Sequence, residues 1–451
     1  MSMRCVVGLV ALIVSGCAAA PKGGGFDAVR QEVLERTGHE VQWRGQTAQD
    51  AELDRAVAGL LAKELTADEA VQVALLNNRG LAARFEDLGI AQADLVQAGL
   101  LKNPVFMGSW RFADHSPRVT NVEYSVAADF LDLLMMPLRK RMAEEQFERT
   151  KLSVGHDVLQ LAAEVKEAFY TAQARGQLVE RLRLVAQINQ TAAELATRQR
   201  EAGTLNELGE ANQRVAYEES KVDVAQAEAQ LAADRERLNR LMGLWGEQTT
   251  WKMANRLPEL PAEEVSLEHL ESLAMRQRLD VLAARKETVT LAEALGVKNA
   301  YRYFASAEVG VSTEKETDGV RVTGPTLSLQ LPIFDQGQGE VAKLGAEYRK
   351  SQRRLEGLAI DARSEVREAR GRLVAQRALV EHYKRLLPER VRILNLTLEQ
   401  YNGMLKGAYD LLLAKQGEVA TERAYVEAWR DYWIARTELV RAVGGKLEGN
   451  R

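Results

Sequence analysis

Three features of this 451-residue chain carry the residue types of known chemistry, and each must be weighed against its surroundings. Gly337-Gln338-Gly339-Glu340-Val341-Ala342 reads as G-x-G-x-x-A, whose backbone N–H groups cradle a pyrophosphate when the loop joins a buried strand to a crossover helix. Here the preceding run is half polar, and the helical pattern that follows continues far beyond a crossover of about a dozen residues, with no second strand after it. The glycines are therefore turn residues. Ser312-Thr313-Glu314-Lys315 has the letters of an S-x-x-K nucleophile pair, but it sits near a hairpin tip and lacks the companion motifs. His39, His115, His156, His269 and His382 are scattered without ligand spacing, and neither H-E-x-x-H nor a paired-cysteine pattern occurs, so only distant residues gathered by folding could hold a metal. No catalytic residue, no cofactor and no metal set is expected, and the chain reads as a non-enzyme.

Charge excludes another class. Lys+Arg 60 against Asp+Glu 64 leaves a net charge of -4, without the basic excess that nucleic-acid binding needs. Aromatic residues make up 6%, low for a compact core and usual for helix bundles. Residues 1–16 have a basic start at Arg4 and an apolar core over 5–14, the length of a secretory signal and too short to span a bilayer. Val14-Ser15-Gly16-Cys17 is similar to the lipobox of bacterial lipoproteins, in which the cysteine is lipidated and becomes the mature N-terminus. A signal cut elsewhere, with an incidental Cys17, is the alternative. Cys5 and Cys17 both lie in this leader, so no internal disulfide is expected. Ala18 after the cysteine implies, by the same resemblance, sorting to the outer membrane.

The elements that must position any site fall into a doubled plan. Leu327, Leu329, Leu331 and Ile333 alternate with polar residues as in a strand with one apolar face, and Asp335, Gly337 and Gly339 then supply a turn. From Glu340 to Leu387 no proline interrupts a helical pattern of roughly 50 residues, some 75 Å at about 1.5 Å per residue. Pro388 should kink it. Thr66 and Glu69 form a capping box opening a helix expected to reach about Leu101. Shifted by 200 residues, Thr66, Ala74 and Ala83 meet Ser266, Ala274 and Ala283. After each opening helix comes a β-like pair: 105–112 with 121–130 about the turn 113–118, and 301–312 with 320–333 about 313–319. Their alternation and length suit transmembrane strands, although two soluble hairpins packed on a core would show the same pattern. Apolar parity changes between Val322 and Leu327 across Gly324-Pro325, which predicts a bulge. Each pair leads into a proline-poor helical hairpin, the first reversing at Gly203 and the second over 401–407. Two hairpins cannot close a barrel, and open edges are not tolerated in lipid, so several chains must pool their strands; a trimer would supply about twelve.

With its Cys17 lipobox, doubled plan, Leu238-Asn239-Arg240-Leu241-Met242-Gly243 closing the first half and 324–339 opening the second strand-to-helix junction, the chain resembles the TolC-like outer-membrane efflux proteins over nearly its whole mature length. The resemblance implies a mainly α protein with a small β part: a homotrimer whose long helical hairpins form a periplasmic tunnel, with four strands per chain in a shared twelve-stranded barrel. It implies coupling to a periplasmic adaptor and, indirectly, an inner-membrane pump. Gly203, Thr204 and Leu205, and Gly403, Met404, Leu405, Gly407, Ala408 and Asp410, look like the two adaptor-docking tips. Asp410 matches a common acidic tip position, whereas Gly209 stands at the corresponding place in the first tip, against a symmetric acidic gate. The second tip looks most like members associated with heavy-metal or copper efflux. The implied division is 1–16 signal peptide, 17–64 tether and periplasmic segment, 65–244 first repeat, 245–264 linker, 265–445 second repeat and 446–451 tail. A lipid-anchored periplasmic coiled-coil scaffold without a pore, or the exit duct of a type I secretion system, are the competing readings.

Overall fold

The computed structural model describes residues 23–45, 48–112, 114, 120–264, 266–303 and 307–447. Cys17 and most of the first strand turn lie outside them. The elements in order are α1 (Phe26–Thr37), α2 (Ala48–Leu61), β1 (Glu64–Leu65), α3 (Ala67–Asn77), α4 (Arg79–Ala98), β2 (Val105–Arg111), β3 (Asn121–Asp129), α5 (Phe130–Glu201) and α6 (Glu207–Met242). A short 3-10 turn and β4 (Lys252–Met253) follow, then α7 (Leu270–Gln277), α8 (Leu279–Tyr301), β5 (Ala307–Lys315), β6 (Arg321–Leu329), α9 (Gln338–Asn402) and α10 (Ala408–Val443). The protein is mainly helical with a small strand part. Two compact units divide it: Met1–Val29, Phe85–Val154 and Asp280–Leu358 form one, and Arg30–Arg84, Gly155–Leu279 and Ala359–Arg451 the other.

The first unit holds one antiparallel sheet in the order β2-β3-β5-β6. β6 pairs with β5 from Arg321 opposite Lys315 to Leu329 opposite Ala307 without interruption, so the expected bulge is absent and Val322 instead lies on the polar face. The strand also stops at Leu329, short of Leu331 and Ile333, and α8 still runs at Tyr301 where a strand was expected to begin. The hairpin turn is correspondingly later, closed by Glu316 N–H to Val320 O at 2.9 Å. Where β3 passes directly into α5, the buried Asp132 carboxylate accepts from Arg139 at 2.5 Å. The same guanidinium donates to the Ala98 and Leu100 carbonyls at 3.0 and 2.8 Å, satisfying orphan acceptors at the end of α4. Strand entry and exit are thus tied to one ion pair.

In the second unit the capping box forms as the sequence predicts, with Thr66 accepting from Glu69 N–H and Glu69 accepting from Thr66 N–H. The helix does not run on to Leu101. It breaks at Asn78, where ψ turns to 119°. The break has a use: Asn77 donates to Met242 O and Gly243 O, and Asn78 to Leu241 O at 2.7 Å, capping the end of α6. Arg278 breaks the second helix with ψ again 119° and lies against the end of α10. Gly243 and Gly444 terminate α6 and α10 at φ 67° and 95°, and a Cβ on either would fall within 3 Å of backbone atoms of the breaking segment. Glycine is required there on both counts.

α7, α9 and α10 bury Leu270, Leu273, Val366, Leu373, Tyr432 and Leu439 in one core cluster, and each large side chain so buried contributes roughly 1.5 to 3 kcal/mol. The inter-repeat linker is strapped onto these helices. Trp429 and Trp433 both donate to Pro258 O at 2.9 Å, and Arg377 donates to Ala262 O at 2.9 Å. Pro388 sits inside the continuous α9, as Pro137 does inside α5.

Candidate functional site

Two separate groups of residues are candidates, one in each unit: the reversals between long helices in the second, and the faces of the four-stranded sheet in the first. At the first reversal α5 ends at Glu201, Gly203 takes φ 72°, and Thr204 N–H closes on Gln199 O at 2.8 Å. Asn206 then caps α6 by accepting from Gly209 N–H at 2.8 Å. The second reversal has the same frame one residue out of step with the glycines. Its left-handed residue is Met404, φ 56°, whereas Gly403 still donates helically to Glu399 O and Gly407 is extended at φ -85°. The conformational freedom expected of Gly403 and Gly407 is therefore not what the turn uses. A non-glycine residue held there costs about 1 to 2 kcal/mol.

Asp410 and Gly209 occupy equivalent third positions of their helices, and their difference is local. Asp410 accepts the Gly407 N–H at 3.0 Å and lies 3.7 Å from the Lys406 ammonium, so the capping bond runs from the third residue back to the cap. At the first turn the Leu205 side chain fills that space, and a Cβ on Gly209 would meet its methyl at 2.7 Å. The first tip instead buries the carboxylate of Glu210, held by Arg200 at 2.5 Å and Thr197 at 3.1 Å. Arg200's hydrogen bond keeps the Glu210 carboxyl below its usual range. Sequence reasoning missed this pair, whose signal would have been Arg and Glu facing each other across the reversal.

The two reversals are neighbours. Tyr409 donates to Gln199 at 2.9 Å, Gln416 donates to Asn189 at 2.6 Å, and Arg181 pairs with Glu422 at 3.2 Å. Thr204 and Gly203 are exposed, Leu205 and Ala408 half-buried, and Met404 and Leu405 stand 94% and 78% exposed. Met404 and Leu405 are thus an adjacent pair of bare apolar side chains at the second reversal.

The sheet has two unlike faces. Through the paired register, Phe106, Val126, Val311 and Pro325 share one row, and Ala128, Val309 and Leu327 the next, on a face that also carries Trp110, Tyr124 and Leu329. Side chains alternate along a strand, so the other face holds Ser125, Ser312, Ser328 and four carboxylates. Asp129 lies opposite Glu308, and Glu123 opposite Glu314. Like charges directly opposite are destabilising. Arg111 at 3.1 Å from Glu123, Asn121 donating to Glu314 at 2.6 Å and Lys102 at 3.3 Å from Asp129 offset part of this. β2 and β6 each pair on one side only, so both sheet edges are open among the described residues. No described helix is long and apolar enough to cross a membrane, and no described group of His, Cys, Asp and Glu could hold a metal ion.

No family model matches the chain. It is 24% identical over 282 residues to the cobalt-zinc-cadmium resistance protein CzcC of Cupriavidus metallidurans, which covers 61% of this chain and 65% of that protein. The chain thus spans a little under two thirds of that relative's length. Among solved structures it is similar to the CmeC outer-membrane channel of Campylobacter jejuni, with a TM-score of 0.73 at 15% identity over 85% of this chain and 87% of that one. It is similar also to CusC, with a TM-score of 0.68 at 16% identity over 85% and 93%, and to the outer-membrane channel OprN, with 0.71 at 17% identity over 86% and 92%. With its long helical hairpins and its small sheet of two unlike faces, the chain has the fold of the TolC-like outer-membrane channels.

Proposed function

We propose that this chain is the outer-membrane channel subunit of a tripartite efflux system, a homotrimer that receives its cargo from a periplasmic adaptor and an inner-membrane pump. The observation that carries this reading is the sheet, which has one apolar face, one carboxylate-bearing face and two open edges. An open edge in lipid leaves backbone N–H and C=O groups unsatisfied at several kcal/mol each, and pairing β6 of one copy with β2 of the next removes both edges. Three copies give about twelve strands, with strand lengths of 7 to 9 residues close to the usual bilayer crossing. Trp110 and Phe112 beside the hairpin end, and Tyr303 and Phe334 near the helix end, supply aromatic residues at both limits of the apolar band. In this reading the helical reversals, each one long helix from its strands, meet the adaptor through Met404 and Leu405, and Cys17 carries a lipid anchor.

The name of the CzcC relative and the acidic sheet face together favour divalent metal cations as cargo. Rows of carboxylates lining a pore concentrate cations without binding them. The chain divides at 64, 244, 264 and 445 under the same proposal, each repeat being an opening helix, a strand pair and a helical hairpin. To test it, the purified protein is reconstituted in planar bilayers and its mass determined in detergent. A trimeric, cation-selective conductance that loses selectivity in Glu308→Gln with Glu314→Gln is expected. A monomeric, non-conducting protein would establish the scaffold instead.

A further inference from the structure

Within the second unit, the end of α1, the middle of α5 and the last turns of α10 line a half-open cavity of about 230 Å³ that the conduit reading leaves unused. This is below the usual size of a drug pocket and suits a ligand of few heavy atoms. Its lining is one-sided. Arg36, His39, Lys166, Arg436, Arg441 and Lys446 all contribute, and none of the lining residues is acidic. Nearby carboxylates account for part of this charge: Asp68 lies 2.7 Å from Lys166 and 3.6 Å from His39, Glu32 pairs with Arg36, and Glu264 lies 3.9 Å from Arg436. Arg441 and Lys446 have no such ion pair among the described residues, and Glu167 acts on Arg441 only at a distance.

The rest of the wall is apolar and flat. Tyr170 and Trp433 lie with ring centroids 5.6 Å apart and planes at 33°, beside Leu159, Ala162 and Ala163. Tyr170 is 6% exposed, yet its hydroxyl has no hydrogen-bond partner among the described residues. Burial, followed by the charge of Asp68, raises its pKa, so it remains a donor. Two cations without close acidic partners, one unused donor and an aromatic wall converge on one small space.

We propose that this cavity is a binding site for a small organic anion bearing one carboxylate on a flat apolar body. The carboxylate would take Arg441, Lys446 and the Tyr170 hydroxyl, and the ring would lie against Trp433 and the α5 alanines. Because the walls come from α1 and from both halves of the chain, an occupant would hold these segments together and raise stability by mass action.

The test uses the full-length protein in detergent, titrated separately with benzoate, with the uncharged isostere benzamide and with acetate, following indole fluorescence and thermal unfolding. Benzoate should give a saturable fluorescence change and a rise in Tm, with benzamide and acetate at least about tenfold weaker, as loss of either recognition element requires. Arg441→Ala with Lys446→Ala, both surface-accessible, should weaken benzoate about tenfold while leaving the unliganded Tm and circular dichroism unchanged. Trp433→Phe should abolish the fluorescence response and keep the thermal one, assigning the site. Absence of saturation, equal response to acetate and benzoate, or undiminished binding in the double variant would each overturn the proposal.

Discussion

Met404 stands where Gly203 stands in the other reversal, and the comparison measures what the second tip gives up for its side chain. Gly203→Ala should destabilise the protein by about 1 kcal/mol through backbone strain alone, since nothing lies within 4 Å of the added Cβ. Met404→Gly should leave stability equal or slightly higher but reduce adaptor cross-linking; unchanged cross-linking would make the exposed methionine incidental. Asp68 gives a second test at this scale. The His39 hydrogen bond, with Lys166 assisting, holds its carboxyl well below the ordinary carboxylate range. A carboxyl depressed on folding stabilises above its unfolded pKa of about 3.9 and loses that contribution as pH falls towards its folded value. The Tm difference between wild type and Asp68→Asn should therefore be full near neutrality and shrink on acidification below about pH 4. A difference that widened in acid would contradict the assignment. Reversal sites were legible from glycine-containing turns between proline-poor stretches. The left-handed residue at the second was not, because it is fixed by distance from the helix end and Gly403 falls one position early.

The sheet face is the property to test at the scale of the element. Leu327→Arg should lower the yield of heat-sensitive membrane trimer far more than Ser328→Arg, because an arginine on a lipid face costs about 2 to 4 kcal/mol at the midplane and one on a polar face costs little. Ser328 is the comparator because it follows Leu327 in the same strand and lies on the polar face, opposite Glu308. Similar yields for the two variants would favour soluble hairpins. Strand existence and facing were readable because alternation is a side-chain property. The breaks at Asn78 and Arg278 were not, since the apolar period of the opening helices continues across them. What breaks them is the demand of carbonyls at the ends of α6 and α10, more than 150 residues away in sequence for Asn78. The expected bulge failed because the ladder tolerates Val322 on the polar face, opposite Glu314, and pairing runs on unbroken from Arg321 to Leu329.

At the scale of the whole molecule two proposals remain to be checked. Cys17→Ala should abolish labelling with a fatty-acid probe while the proposed trimer still forms, because one lipid chain would add only modestly to the proposed multi-strand membrane body. Persisting label would place the anchor elsewhere. Leu405→Arg with Ala408→Arg should leave trimers intact and remove both adaptor cross-linking and metal tolerance; retention of both would make the reversals structural turns. The fold class and the doubled plan were accessible from proline spacing and the 200-residue shift, whereas the linker straps at Pro258 and Ala262 depend on side chains from α9 and α10 that no local pattern announces. The open edges of the sheet have a further, genetic consequence. If, as proposed, three copies each lend β2 and β6 to one ring, a subunit with a defective edge spoils the two sound copies it joins. Co-expressed at parity with wild type and mixing freely, such an allele would leave about one ring in eight wholly sound, so edge mutations in this protein should behave as dominant while mutations confined to one copy's interior behave as recessive.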